Sequence, residues 1–442
     1  MLDELNKRAQ DKSPIKVGLI GAGAMGMGIA YQVNRTPGME LVFVADIDIS
    51  AARGAAVSTG LQVYEGHEFT ERNVAVEVGH VLISGEPLEI LKKCPEGGID
   101  VLVEASNSIG SAASYCLQAI EKGIHVVLMN AEVDLALGFL LDRYARKKGV
   151  VLTSDAGDQH GVLRRMVDDI KLWGFDIVQA GNIKGYLDRY ATAQSLVHEA
   201  AKRNLSPVQC CAYTDGSKLS IEMACLANSV GLIPQVPGML GPRALHVREA
   251  LDLFDFDQYD CVGRIDYLLG AEPDGGVYVI GRCDDPLQSG YMEYYKMGSG
   301  PYYLFYRPYH LCHVETPNAI AEAVLRNRAV MRPGEHRMTD VYAYAKMDLE
   351  PGLKINHAVG GEFFYGMVEC CRDADAKGKV PLVLLEGEGA MVPQMKESLR
   401  KDSPLEWGMV EMPDSFLSRK FKEQSELLAE EMVDLSQGGD HG

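Results

Sequence analysis

The chain has 442 residues, 47% hydrophobic and 24% charged, which is ordinary globular usage. That balance excludes a disordered chain, a collagen-like repeat and a disulfide-built miniprotein, and no apolar run reaches the ~18 residues of a membrane span. Forty-three Lys and Arg against 62 Asp and Glu leave a net charge of −19, which argues against nucleic acid as the main ligand and leaves room for a small anionic substrate.

At ~150 residues per domain, the length predicts about three domains. Ten cysteines include two adjacent pairs, Cys210-Cys211 and Cys370-Cys371, but no Cys-x-x-Cys, so neither a zinc ribbon nor a redox motif is expected. Met1 to Ser13 is polar and lacks the apolar core of an export signal. Reduced thiols in a cytoplasm are therefore expected.

The first strong element is the apolar run 15–20, which meets Gly21-Ala22-Gly23-Ala24-Met25-Gly26 and then helix formers from Met27 to Val33. The run 40–45 is a second buried strand, and it ends at Asp46. Further apolar runs at 82–90, 101–103 and 124–129 alternate with helical patterns at 110–122 and 135–148. Alternation of this kind predicts parallel βαβ units. A dinucleotide-binding Rossmann domain is placed at 14–155, with residues 60–80 as an excursion before its third strand.

A central α+β domain, for catalysis and dimerisation, is placed at 156–330. It has a helix over 161–171, a strand over 175–180 and a buried helix over 215–230 closed by Gly231. Short strands and Gly-rich turns at 331–442 predict a small β-rich domain followed by a helix over 421–435 and a fraying end at 436–442. The fold class is α/β.

In the glycine loop each glycine has its own task. Gly21 permits the tight turn, Gly23 lets backbone approach a pyrophosphate, and Gly26 lets helix pack on strand. The N–H groups of Ala24 and Met25 open the helix, whose positive end suits phosphate. Asp46 suits the ribose diol of NADH, whereas Arg53, seven residues on, suits the 2′-phosphate of NADPH. The sequence leaves both cofactors open. Ser106 and Asn107 follow the strand 101–104, and Asn130 follows the strand 124–129. All three lie at ends of parallel strands, where α/β folds bind ligands.

Reduction of a carbonyl needs a proton donor and fixed positive charge where an alkoxide develops. Two segments concentrate such groups. One is Asn182-Ile183-Lys184-Gly185-Tyr186-Leu187-Asp188-Arg189 and the other is Asp215-Gly216-Ser217-Lys218-Leu219-Ser220-Ile221-Glu222. On a helix Asp215, Lys218 and Glu222 share one face, beside the apolar stripe of Leu219, Met223, Leu226 and Val230. Lys218 is the expected proton donor, oriented by Asp215 and Glu222, with Lys184 the second cation and Asn182 a neutral donor. If a divalent metal takes part, Asp188, Asp215 and Glu222 are the expected ligands, and hard oxygen donors favour Mg or Mn. His310 and His313 flank Cys312, but a strand there would point the two histidines to opposite faces, so no metal is expected from them. Arg189, Lys296 and Arg307 are the cations available for a phosphate.

At these residues the chain resembles the homoserine-dehydrogenase-like NAD(P) oxidoreductases. The likeness is strongest to the deoxyxylulose-phosphate reductoisomerase-like subgroup with a C-terminal SAF-type β domain. It covers about 15–370 and is carried by GLIGAGAMGMG, AGNIKGYLDRY, TDGSKLSIEMACLAN, YYKMGSGPYYLFYRPYHLCHVE and YAKMDLEPGLKI. The resemblance implies that Lys218 is the catalytic lysine and Asp215 its neighbouring acid. The chain departs from the homoserine enzymes in the spacing of that pair and in having Asn130-Ala131-Glu132 where they have a lysine. The resemblance further implies reduction and isomerisation of 1-deoxy-D-xylulose 5-phosphate to 2-C-methyl-D-erythritol 4-phosphate, a step of isoprenoid precursor synthesis, by a homodimer. Two other readings stand beside it. One is a dehydrogenase of a polyol, a sugar acid or a homoserine-like substrate; the other is a dinucleotide-sensing binding protein without turnover.

Overall fold

The computed structural model describes residues 1–66, 79–203, 205–259, 262–387 and 389–438. Most of the expected excursion at 60–80, and the end of the expected fraying tail, lie outside the described residues. The chain divides into two compact units. The first comprises 1–158, 311–332 and 419–442, and the second comprises 159–310 and 333–418.

The first unit is built on seven strands: β1 (Ile15–Ile20), β2 (Met39–Ala45), β3 (Gln62–Glu65), β4 (His80–Ser84), β5 (Val101–Glu104), β6 (His125–Leu128) and β7 (Leu152–Ser154). Their order is β3-β4-β2-β1-β5-β6-β7, and every pair is parallel. Val17, Leu19, Val101 and Val103 are fully buried, as expected of strands covered on both faces. The strand order reverses between β1 and β5, the place where doubly wound sheets open a ligand crevice. The α/β class and the N-terminal Rossmann fold expected from the sequence are thus observed.

Two late segments complete this unit. The helix Cys312–Arg326 lies along the helix Ala24–Arg35, and Gly28 gives the room: a Cβ there would stand 2.5 Å from the His313 ring. The helix Phe416–Gly438 is anchored by Gln424. Its amide accepts from Leu140 N at 3.0 Å and donates to Ala136 O at 2.9 Å, an i and i−4 pair of groups on one turn of the helix Ala131–Lys148. Arg143 adds a two-pronged pair to Glu431. The division therefore differs from three consecutive domains, because 311–332 and 419–442 pack back onto the Rossmann sheet's helices. It also corrects the strand expected around His310 and His313: His313 lies on a helix.

The second unit carries a mixed sheet of β8 (Asp176–Lys184), β9 (Ile233–Pro234), β10 (Arg264–Leu269), β11 (Val277–Arg282) and β12 (Tyr302–Arg307), ordered β12-β11-β8-β10-β9. A second, two-stranded antiparallel sheet pairs β13 (Thr339–Ala345) with β14 (Phe364–Cys370). The helix Gln159–Leu172 covers one part of the larger sheet, and the helix Ser217–Val230 packs on β13 and β14. Ser217 Oγ accepts from Gly366 N at 2.9 Å, Ser220 Oγ donates to Gly366 O at 3.0 Å, and Asn228 Nδ2 donates to Thr339 O at 3.0 Å. Three side chains on one face thus fix that helix axially against the small sheet. Among the described residues no helix is long and apolar enough to cross a membrane.

Candidate active site

In the first unit the three glycines of the loop meet three different constraints. Gly21 has φ +93°, and a Cβ on it would stand 2.4 Å from the Ala105 carbonyl carbon at the end of β5. A Cβ on Gly26 would stand 1.9 Å from Gly21 O, so only glycine lets this helix start so close to the turn. Gly23 is the helix N-cap with an ordinary φ of −66°, and a Cβ there would meet nothing within 4 Å. Neither backbone strain nor packing accounts for Gly23. The space over it, beside the free N–H groups of Ala24 and Met25 in the first turn, fits a dinucleotide's pyrophosphate.

Asp46 follows β2. Its Oδ2 accepts from Ala22 N at 2.7 Å and its Oδ1 from Asp48 N at 2.9 Å. The carboxylate is therefore fixed to the glycine loop and keeps one lone pair per oxygen for a diol. Arg53 pairs with Glu65 on β3. Asn107 is exposed, and Ser106 is half-buried with its hydroxyl 3.3 Å from that of Ser108. Asn130, expected at the cofactor, ties two segments of the first unit. Its Oδ1 caps the helix Ala131–Lys148 at Val133 N, and its Nδ2 donates to Ser108 O at 2.7 Å. Sequence reasoning missed Glu104, the last residue of β5. It is fully buried, its Oε1 accepts from Ser106 N at 3.0 Å, and among the described residues its Oε2 has no hydrogen-bond partner. Burial pushes its carboxyl up to about 8.

In the second unit the polar groups converge on Gln159. Asn182 and Lys184 alternate on β8 and so point to the same face. With the Gln159 amide turned to suit its neighbours, its nitrogen donates to Glu222 Oε2 at 2.8 Å. Its oxygen accepts from Lys184 Nζ at 3.1 Å and from His310 Nε2 at 3.1 Å. The same amide lies against that of Asn182, which is fully buried. Lys218 stands one turn before Glu222 on the same helix face, and both are buried. Lys184, Asn182, Lys218 and Glu222 were all expected here. Gln159 was not, and His310 was considered only as a metal ligand. One signal was available for Gln159: with His160 it opens a helix whose next residues, Gly161, Val162 and Leu163, carry no polar side chain.

Asp215 does not share the face of Lys218 and Glu222. Gly216 takes φ +85°, so the helix starts at Ser217, and Asp215 instead ends the preceding helix Pro207–Thr214. Asp215 Oδ1 accepts from Ser217 N at 2.8 Å, and Asp215 Oδ2 pairs with buried Lys346 at 2.8 Å. Burial raises the Asp215 carboxyl while Lys346 opposes that rise. Asp188 accepts from Tyr190 N at 3.0 Å. Among the described residues, Asp188, Asp215 and Glu222 do not gather their oxygens into a common metal-ligand set. The expected carboxylate metal site is thus not formed, because Lys346 and Gln159 take the oxygens a cation would need.

The three expected phosphate cations separate. Arg189 lies over the Tyr365 ring at 5.5 Å, on the loop that leaves Lys184. That loop is held by Tyr190 OH, which donates to Asp402 at 3.0 Å. Arg307 pairs in register with Val277, which pairs with Asn182, so it stands two strands from Asn182, or ~10 Å. Lys296 lines a groove with Trp173 and Phe305 and is not among the groups around Gln159.

A family model described as the NAD-binding domain of homoserine dehydrogenase matches residues 21–153, and one described as the catalytic domain of oxidoreductase DRL matches residues 157–316. No curated protein matches the chain in sequence. Among solved structures, a homoserine dehydrogenase from Thiobacillus denitrificans is 13% identical, with a TM-score of 0.42 over 89% of this chain and 98% of that one. A myo-inositol dehydrogenase from Lactobacillus casei, in complex with NAD(H) and myo-inositol, is 17% identical, with a TM-score of 0.33 over 61% of this chain and 72% of that one. A dihydrodipicolinate reductase from Paenisporosarcina sp. TG-14 is 12% identical, with a TM-score of 0.35 over 73% and 96%. The two family matches and the glycine cradle agree that the chain is an NAD(P)-dependent oxidoreductase.

Proposed function

We propose that the chain reduces the carbonyl of a small hydroxylated substrate. The observation that carries this reading is the convergence of Lys184, Glu222 and His310 on one amide, that of Gln159, with Lys218 one turn from Glu222. Gly23, Ala24 and Met25 would hold the pyrophosphate and Asp46 the adenosine ribose. When bound, the nicotinamide supplies a hydride to the substrate carbonyl carbon. Charge then develops on the carbonyl oxygen, where the Lys184 and Lys218 ammonium groups stabilise it. Lys218 delivers the proton that completes the alcohol, and Glu222, one turn further along the same helix, orients it. Gln159 fixes Lys184 and His310 at set positions, so little reorganisation accompanies the reaction.

The finer proposal is reductoisomerisation of 1-deoxy-D-xylulose 5-phosphate to 2-C-methyl-D-erythritol 4-phosphate. The rearrangement conserves atoms and needs a base for a substrate hydroxyl; reduction of the resulting aldehyde then consumes one hydride and one proton. Glu222 and His310 are the bases at hand. Arg189, on the loop that leaves Lys184, is the cation proposed for the phosphate. NADH is the favoured reductant, since Asp46 is fixed at the ribose position and Arg53 is engaged by Glu65.

The test is oxidation of NADH and of NADPH over a panel holding this ketose phosphate, its unphosphorylated form, polyols, sugar acids and aspartate semialdehyde. Turnover of the ketose phosphate with formation of the branched polyol phosphate supports the finer reading. Turnover of another member alone removes that reading and keeps the reductase. Tight cofactor binding with no turnover of any member overturns catalysis in favour of a dinucleotide sensor.

A further inference from the structure

Glu104 ends β5, one of the two strands between which the strand order of the first unit reverses. The three residues before it, Val101, Leu102 and Val103, are apolar and fully buried, so a carboxylic acid in the fourth place breaks the strand's pattern. Its Oε1 accepts from Ser106 N, beyond the strand end, which carries the carboxyl toward the crevice. Ala105, between the two, is the residue whose backbone faces Gly21 of the glycine loop. The Tyr115 hydroxyl, on the helix Gly110–Glu121, lies in reach of the charges of both Glu104 and Asp46, so the two acids border the same space. A buried carboxyl oxygen without a hydrogen-bond partner is costly to a fold, and Oε2 is such an atom among the described residues. The lie of the cofactor follows from residues already placed. With the pyrophosphate over Gly23 and the adenosine ribose at Asp46, beyond β2, the nicotinamide half runs the other way, over the end of β5.

We propose that Glu104 senses the charge of the nicotinamide ring: beneath the oxidised, cationic ring its carboxyl gives a proton to the solvent, and beneath the reduced, neutral ring it keeps that proton. The inference rests on the cofactor reading and is independent of the substrate. Burial holds the carboxyl at about 8, so in the chain alone it is protonated at neutral pH. A cation within ~4–6 Å strengthens a carboxylic acid about 10- to 1000-fold. The neighbouring groups leave that change to the ring. Burial pushes Tyr115 and Cys116 of the helix Gly110–Glu121 up, so both stay neutral near pH 7. Glu132 of the helix Ala131–Lys148 opposes a negative charge on Glu104, while Ser106 and Asn130 favour it. The oxidised cofactor is therefore held more weakly when Glu104 carries its proton. A reductase gains from this, because the spent cofactor leaves as Glu104 takes its proton back.

The test is binding, not turnover. Dissociation constants of NAD+ and NADH for the full chain are measured by calorimetry between pH 6 and pH 9. The ratio of the two affinities cancels every group that meets both nucleotides alike. In the wild type it should move toward NAD+ by about tenfold or more as pH rises across this range. Near pH 7.5, NAD+ binding should release a fraction of a proton, read from the dependence of the heat on the buffer's ionisation enthalpy, and NADH binding should release none. Glu104→Gln should bind both nucleotides with a ratio that ignores pH and without that proton. A wild-type ratio constant with pH overturns the proposal, and so does a slope that survives in Glu104→Gln. The wild-type ratio and proton release need no variant, so they decide the matter even where Glu104→Gln fails to fold. Binding of neither nucleotide removes the cofactor reading itself, and the role of Glu104 with it.

Discussion

Lys346 Nζ stands 2.8 Å from Asp215 Oδ2, with both side chains at 1% exposure or less. The ammonium also donates to Ala191 O and Gly361 O at 2.7 Å each, and it lies 3.4 Å from Cys211 Sγ. One buried cation therefore ties together the loop after Lys184, the turn before Lys218 and the segment leading into β14. Burial raises the Cys211 thiol to about 12, so this cysteine is a packing neighbour and not a nucleophile.

Removing one member of that pair strands the other charge. Lys346→Met should cost about 3–5 kcal/mol, because Asp215 stays buried without its counter-charge. Replacing both, Lys346→Met with Asp215→Leu, should recover most of that loss, since no charge then remains in the interior. Urea unfolding of the three proteins measures it. A double variant no more stable than the single one would show that the carbonyl contacts of Lys346, and not the ion pair, carry the stability.

The glycine loop separates binding from folding. Gly23→Ala adds a methyl group into open space at an ordinary φ, so its melting temperature should match the wild type while dinucleotide affinity falls at least about tenfold. Gly26→Ala forces the methyl group onto Gly21 O and should destabilise the first unit by about 1–3 kcal/mol. Calorimetry with and without NADH distinguishes the two. Equal cofactor affinity in Gly23→Ala and wild type would place the pyrophosphate elsewhere.

Glu104 gives a pH dependence with a definite sign. Its carboxyl sits near 4.5 in an unfolded chain and at about 8 in the fold, because burial disfavours its charge. Between those values the folded state binds more protons than the unfolded one, so stability falls as pH rises through this window. Glu104→Gln keeps the hydrogen bond from Ser106 N and removes the titration. Its stability relative to wild type should therefore increase from pH 4.5 to pH 8. Asp155, at about 7, and Asp134, at about 6, tilt both proteins alike, so the difference between wild type and variant isolates Glu104. A difference that stays flat across the window would mean that Glu104 is charged in the fold.

The Rossmann half was legible because its constraints are local. Gly21, Gly23 and Gly26 act within six residues, and Asp46 ends the very next strand. The candidate catalytic groups were half legible. Lys184 and Glu222 stand out as charges among apolar neighbours, but the groups that position them come from distant segments. Gln159 opens one helix and His310 follows β12, so no spacing relates them to Lys184. Asp215 was misplaced for a local reason: periodicity runs on through Gly216, whereas the backbone turns there. Lys346 lies in a strand-end segment whose partners are set only by the packing of β13 and β14 on the helix Ser217–Val230. The return of 311–332 and 419–442 to the first unit had no sequence signal, because a helix's apolar face does not say which sheet it covers.

Lys218 and Gln159 should respond differently, and that contrast tests the proposed roles. Lys218 gives charge and a proton to the developing alkoxide. Lys218→Ala should lower kcat by about 10²–10³ while leaving NADH affinity nearly constant. Gln159 is a positioning residue that acts through Lys184, Glu222 and His310. Gln159→Leu should lower kcat less, by about tenfold, and should shift the pH profile of kcat, because the amide that held two proton-bearing groups and one carboxylate is gone. Gln159→Glu adds a negative charge beside Lys184, which favours the ammonium form and should move the alkaline limb of the profile upward. Stopped-flow reduction with bound NADH, followed across pH, separates these outcomes. A Lys218→Ala enzyme with near-normal kcat assigns the proton transfer to Lys184. A Gln159→Leu enzyme with reduced kcat but an unmoved pH profile makes the glutamine a packing element only.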